Sequence, residues 1–207
     1  MKIKASIRIA AALLGAAALA TVGGMAFADD QVGGDEEIEV TAEIQPQTLG
    51  VLAMSVASNA ATLTENGSTA LVRQFTGTLP TVTVTDTRDP DDIDDDVFWY
   101  VLGTATDFHG DGTQPDIPAA NLGWTPALID PGESGGVAAG PQVDTALDSG
   151  PNNVGLVDQE FLVETTDPSQ DVVTDESWTA NAALFLRTSP TVAAGTYTST
   201  LTLSLFE

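Results

Sequence analysis

The sequence predicts an all-β protein, a single-domain antiparallel β-sandwich. Three observations carry that expectation. Residues 197–206 alternate Tyr197, Ser199, Leu201, Leu203 and Leu205 against Thr198, Thr200, Thr202 and Ser204. That is the two-residue period of a strand with one buried face. Residues 178–186 likewise place Trp178, Ala180, Ala182, Leu184 and Leu186 on one side. Elsewhere short apolar runs are separated by Gly, Pro, Asn and Asp turns, and no long segment has a helical period with caps.

Taken in order, residues 1–28 read as a secretory signal peptide. Lys2, Lys4 and Arg8 precede an Ala/Leu-rich apolar core, and Ala26-Phe27-Ala28 forms a small-x-small cleavage pattern. The mature chain is expected to begin at Asp29. Residues 29–36 read as a disordered acidic tail, and residues 37–207 as the sandwich. Ile38, Val40, Ala42 and Ile44 alternate with Glu37, Glu39, Thr41 and Glu43, which predicts a half-buried strand. Residues 49–63 predict a second strand. Asn66-Gly67 then predicts a two-residue type I′ hairpin into a partner at 69–75. Strands are expected at 81–85 and 97–106. The latter is apolar on both faces, Val97, Trp99, Val101 and Gly103 against Phe98, Tyr100, Leu102 and Thr104, as befits a central strand. Residues 130–153 are rich in Gly and Pro and read as a surface excursion, with at most one short strand near 143–147. Residues 154–164 resume as a strand, and 165–175 form an acidic loop.

Composition narrows the function classes. The chain has thirty carboxylates, and after residue 28 only Arg73, Arg88 and Arg187 oppose them, a formal charge of −27. Such a surface repels nucleic acid and anionic lipid and attracts cations and basic proteins. No segment after the signal is long and apolar enough to span a bilayer. The absence of cysteine excludes disulfides and thiolate metal sites. Catalysis finds no support. There is no lysine or cysteine nucleophile after residue 28, a single histidine, His109, and no Gly-x-Ser-x-Gly elbow.

Several motifs together resemble a known family. Asp86-Thr87-Arg88 ends a strand, Trp99-Tyr100-Val101 follows, then Thr106-Asp107-Phe108 and Leu122-Gly123-Trp124-Thr125-Pro126. A closing stretch runs Ala194-Gly195-Thr196-Tyr197-Thr198 into Leu201-Thr202-Leu203. Over residues 81–207 this resembles a WxL-type cell-surface domain of Gram-positive bacteria, in an actinobacterial style. The second Trp-x-Leu position holds Leu203-Ser204-Leu205, a degenerate motif. The resemblance implies a secreted protein held noncovalently at the peptidoglycan of the cell wall, in concert with other secreted surface proteins. It draws attention to Trp99 and Val101 of the first motif. A covalent wall-sorting signal is not expected. The runner-up is a structural subunit of a pilus-like or surface-layer assembly.

Two sets of residues are candidate sites. Asp89, Asp91, Asp92, Asp94, Asp95 and Asp96 crowd one loop. Clustered carboxylates can supply the oxygen ligands that Ca²⁺ takes, and cation bridging would suit an acidic wall protein. A solvated charge run explains the same residues. Asp107 and Asp111, around His109, read either as further ion ligands or as turn formers. Among the aromatics, Trp99 and Trp178 sit in strands and are expected in the core. Trp124, in its Gly-Trp-Thr-Pro context, is the candidate for stacking on a glycan or a partner protein. Arg88 is expected in an ion pair with Asp86 or Asp107.

Overall fold

One strand organises the molecule. The computed structural model describes residues 50–207. Within it Ser177–Thr188 is the longest strand, alternating buried and less buried side chains along its length. The signal peptide at 1–28, the acidic tail at 29–36 and the strand expected at 37–44 lie outside the described residues.

In chain order the strands are β1 (Leu52–Val56), β2 (Thr64–Glu65), β3 (Arg73–Thr78), β4 (Val82–Asp86), β5 (Tyr100–Ala105) and β6 (His109–Gly110). They continue with β7 (Leu122–Asp130), β8 (Val137–Ala139), β9 (Glu160–Thr165), β10 (Ser177–Thr188), β11 (Tyr197–Thr198) and β12 (Leu201–Phe206). One four-residue helix, α1 (Ser169–Val172), precedes β10. Every pairing between strands is antiparallel. The all-β class and the sandwich-like arrangement expected from the alternation are what the chain adopts. Among the described residues no helix is long and apolar enough to cross a membrane.

The first sheet is built on β10. One edge of β10 pairs with β7 from Thr179 to Leu186. The other edge is shared end to end by β4, with Trp178 opposite Val84, and β3, with Leu186 opposite Phe75. β3 and β4 are thus one interrupted row. Thr78 faces Ala183 and Val82 faces Ala180, so the row carries an extra residue around Pro80, which has no N–H to give. Leu79 N–H keeps contact by donating to the Ala182 carbonyl at 2.8 Å. β1 and β2 form the outer row beside β4 and β3. The second sheet runs β12-β5-β9-β8, and β5 is central, as its two apolar faces predict.

The two sheets meet through tryptophans. Trp99 and Trp178, on facing sheets, lie 5.1 Å apart between ring centroids. Trp124, on β7, reaches across to β5, where a Cβ on Gly103 would stand 2.4 Å from its ring. Glycine is what lets that ring settle against the backbone. Trp99, Val101, Trp124, Val143 and Leu162 are fully buried around this contact.

Four expectations differ in detail. Asn66-Gly67 does turn, with Gly67 at φ 81°, but β2 and β3 pair as Thr64 with Thr76 and Glu65 with Phe75. Residues 66–72 therefore form a wide loop. Ser68 and Thr69 hydroxyls accept the N–H groups of Gln74, Leu71 and Val72, replacing ladder bonds there. The partner strand starts at Arg73 instead of residue 69. The strand expected over 49–63 is confined to Leu52–Val56, and the one expected over 154–164 to Glu160–Thr165. Near 143–147 only Val143 bridges, to Trp124. β7 itself was not expected, because Gly123 and Pro126 punctuate it.

Candidate functional site

The acidic stretch connects β4 to β5 and begins with a latch. Asp86 is fully buried at the end of β4. Both its oxygens are taken by Arg88, Oδ1 by Nε at 2.8 Å and Oδ2 by Nη2 at 2.7 Å. This fork is the bidentate pairing that guanidinium geometry allows. Arg88 Nη1 also donates to Glu207 Oε2 at 2.7 Å. The arginine therefore ties the end of the first sheet to the residue following β12 in the second. Asp107, the other acid considered for Arg88, instead accepts the Ala119 N–H at 2.8 Å.

Beyond Arg88 the loop turns outward. Asp89 caps a short 3-10 turn, Pro90–Asp92, by accepting the Asp91 N–H at 3.1 Å. Ile93 alone dips into the core. Asp96 takes the left-handed conformation at φ 62° and redirects the chain toward Trp99. Asp89, Asp91, Asp92, Asp94, Asp95 and Asp96 are all exposed. Among the described residues no three acidic or histidine side chains come together as a metal-holding group. Asp111 accepts from Gln114 Nε2 at 2.9 Å, and His109 pairs with Asp116 at 3.0 Å on the surface. Asp89, Asp111 and His109 are thus engaged with near neighbours in the chain. We expect the melting temperature to be the same in millimolar Ca²⁺ and in excess chelator at matched ionic strength. A rise with Ca²⁺ abolished by neutralising Asp92, Asp94 and Asp96 would make the loop an ion site.

Trp99, Val101 and Trp124 are each 0 % exposed. As the chain is folded, none offers a ring face or side chain to a ligand. Trp124 in particular is turned into the sandwich, because it stands on the inward parity of β7 with Leu122 and Pro126. The aromatic groups that do reach the surface come from the opposite parity. Tyr100, Leu102 and Thr104 of β5 face outward, across from Phe206, Ser204 and Thr202 of β12. Tyr100 and Phe206 stack at 5.5 Å between centroids, and Phe161 of β9 closes on Tyr100 at 5.6 Å. Phe206 is 37 % exposed and nearby Phe98 is 38 % exposed. Glu164 pairs across from Tyr100 on the other side and adds a carboxylate.

This outer face of the second sheet is the best-formed candidate site. Three rings from three adjacent strands make an apolar strip, bordered by the hydroxyls of Thr202 and Ser204 and by Glu164. Rings of this kind pack on the C–H faces of neutral ligands, while the hydroxyls and the carboxylate can exchange hydrogen bonds with ligand hydroxyls. The sequence signal was present in the second face of residues 97–106. It was outweighed there by the tryptophans, whose size marks core as readily as surface. Searches against protein-family models, curated proteins and solved structures return no match to this chain.

Proposed function

We propose that the chain is a secreted, non-catalytic cell-surface module that attaches noncovalently to cell-wall glycan, in the manner its resemblance to WxL-type domains implies. The observation that carries this reading is the Tyr100–Phe206–Phe161 strip on a rigid sheet face. A strongly acidic protein is repelled by anionic wall polymers, so the contact is with uncharged sugar. Attachment of this kind needs neither nucleophile nor metal. The test is retention on purified sacculi stripped of anionic polymers. Tyr100→Ala with Phe206→Ala is expected to lower binding at least about tenfold, the loss of roughly 1.4 kcal/mol or more, while the fold persists. Undiminished retention of that double variant would move attachment off this face.

A second reading, a subunit of a pilus-like or surface-layer assembly, is favoured by the outer edges of β1 and β12. Among the described residues neither edge pairs with a further strand. Concentration-dependent oligomers in sedimentation would support it, and a monomer at all concentrations would remove it.

A further inference from the structure

The same two edges border a groove. β1 ends one sheet and β12 ends the other, and where residues 57–63 leave the first sheet the sandwich gapes. A cavity of about 580 Å³ lies there. A second, of about 690 Å³, adjoins it beside β3 and β11, sharing Ala61, Leu63, Phe108 and Ser199 as walls but touching neither β1 nor β12. The sides are apolar: Met54 and Leu184 from one sheet, Leu201 and Leu203 from the other. Leu201, Leu203 and Leu205 remain only half-buried, although their alternation is that of a core strand.

Among the described residues the two edge strands carry neither charge nor proline against strand addition. Native edges are blunted by lysine, proline or an inward charge. Leu52-Ala53-Met54-Ser55-Val56 and Leu201-Thr202-Leu203-Ser204-Leu205-Phe206 contain no charged residue and no proline. In a chain with thirty carboxylates, two uncharged edges flanking one apolar groove form an uncommon combination. Backbone edges with alternating apolar pockets are what an extended peptide recognises.

Charge selects the occupant. Arg73 pairs with Glu65, Arg88 with Asp86 and Glu207, and Arg187 with Asp148. All three arginines among the described residues are thereby committed to carboxylates, and the pairing with Arg73 holds the Glu65 carboxyl down at about 2. Glu207 stands directly after β12 with its carboxylate held by Arg88, so it is the excess of unpaired acids over the whole surface that favours a basic partner. At the other end, a Cβ on Gly195, which lines the second cavity, would lie 3.0 Å from Asp111 Oδ1. A second copy of this chain would bring the same excess of carboxylates and be repelled at low salt. We propose that the groove between β1 and β12 accepts one extended strand of a basic partner protein, with apolar residues at alternate positions and lysine or arginine at its ends.

The probe is a labelled synthetic peptide of alternating Val and Thr between lysine pairs, titrated into the full chain. It is expected to bind at least about tenfold tighter than the same peptide with glutamate ends, and to weaken as salt rises. Binding should slow amide hydrogen exchange in β1 and β12, and a proline placed mid-peptide should abolish it. Ala61→Trp, which fills the groove from an exposed wall position, should remove peptide binding while leaving the melting temperature and sacculus retention unchanged. That retention readout separates failure of the groove from failure of the aromatic face. Equal binding of the two peptides, or none up to about 1 mM, would overturn the proposal, as would undiminished binding by the Ala61→Trp protein. Protection of both edges in the peptide-free monomer would mean that the chain covers them itself. Protection that appears with oligomer formation would assign the groove to a second copy. Either outcome would also overturn it.

Discussion

Arg88→Leu is expected to destabilise the protein by about 3–5 kcal/mol. The reason lies in what the substitution leaves behind. Asp86 is fully buried and has its two oxygens satisfied by the guanidinium fork. Without that fork an ionised carboxylate remains in the interior, and the desolvation cost is no longer offset. The Arg88 side chain is 17 % exposed, so solvent screens the pair only weakly. Glu207 also loses its tie, and the end of β12 is released from the first sheet. Asp86→Asn combined with Arg88→Leu should cost less than Arg88→Leu alone, because no charge is stranded. Arg88→Lys should fall between wild type and leucine, since an ammonium cannot make the two parallel bonds. Urea unfolding of the four proteins checks the order. A cost below about 1 kcal/mol for Arg88→Leu, the range of exposed pairs, would show that the latch is solvated.

Trp124→Ala is expected to cost a similar amount, about 3–5 kcal/mol, for an apolar reason. The ring is fully buried and rests on Gly103 of the opposite sheet. Removing it leaves a void between the two sheets that neither backbone can collapse to fill. Among the described residues the indole N–H finds no acceptor, so its contribution is packing. Trp124→Phe should therefore retain much of the stability. The reverse change, Gly103→Val, should destabilise as well, by pushing a side chain into the space the ring occupies. Thermal and urea unfolding of the three variants check this. An Ala variant within about 1 kcal/mol of wild type would contradict the packing account.

The sequence is legible where a single force decides the element. β10 alternates cleanly because one face meets the core, and it lies close to where the alternation puts it. The run expected over 197–206 is instead broken into Tyr197–Thr198 and Leu201–Phe206, whose leucines are only half-buried. β7 is illegible because its punctuation is local while its partner is distant. Pro126 belongs in a strand only at an edge position whose nitrogen points away from the ladder. Trp124 N–H donates away from β10 to the Val143 carbonyl at 3.0 Å. Pro126, two residues on, turns its nitrogen the same way. Nothing near Pro126 in the chain announces Val143. The candidate site suffered from a related ambiguity. Trp99 and Tyr100 are neighbours, and strand parity sends one inward and the other out. Without the register, which of the two faces solvent is undecided. The buried Asp86 was legible as an Arg88 partner because the two lie two residues apart, whereas Glu207 comes from the other end of the chain.

The interrupted row of β3 and β4 has a kinetic consequence. Both pieces find their inner partner in β10, and β5 finds one of its partners in β12. Each sheet therefore joins the first part of the chain to the last. Closing such large loops costs entropy before any pairing returns it, and proteins dominated by distant pairings assemble in milliseconds to seconds. Until residues 177–206 arrive, β3 and β4 lack the strand that aligns them, and the inner faces of Val82, Val84 and Trp99 have no lid. The pairings of β1 with β4 and of β9 with β5 and β8 need neither β10 nor β12, but the row of β3 and β4 is aligned only once β10 is in place. That dependence of an early row on a distant strand is a property of the strand order alone, and it would hold whatever ligand the finished surface meets.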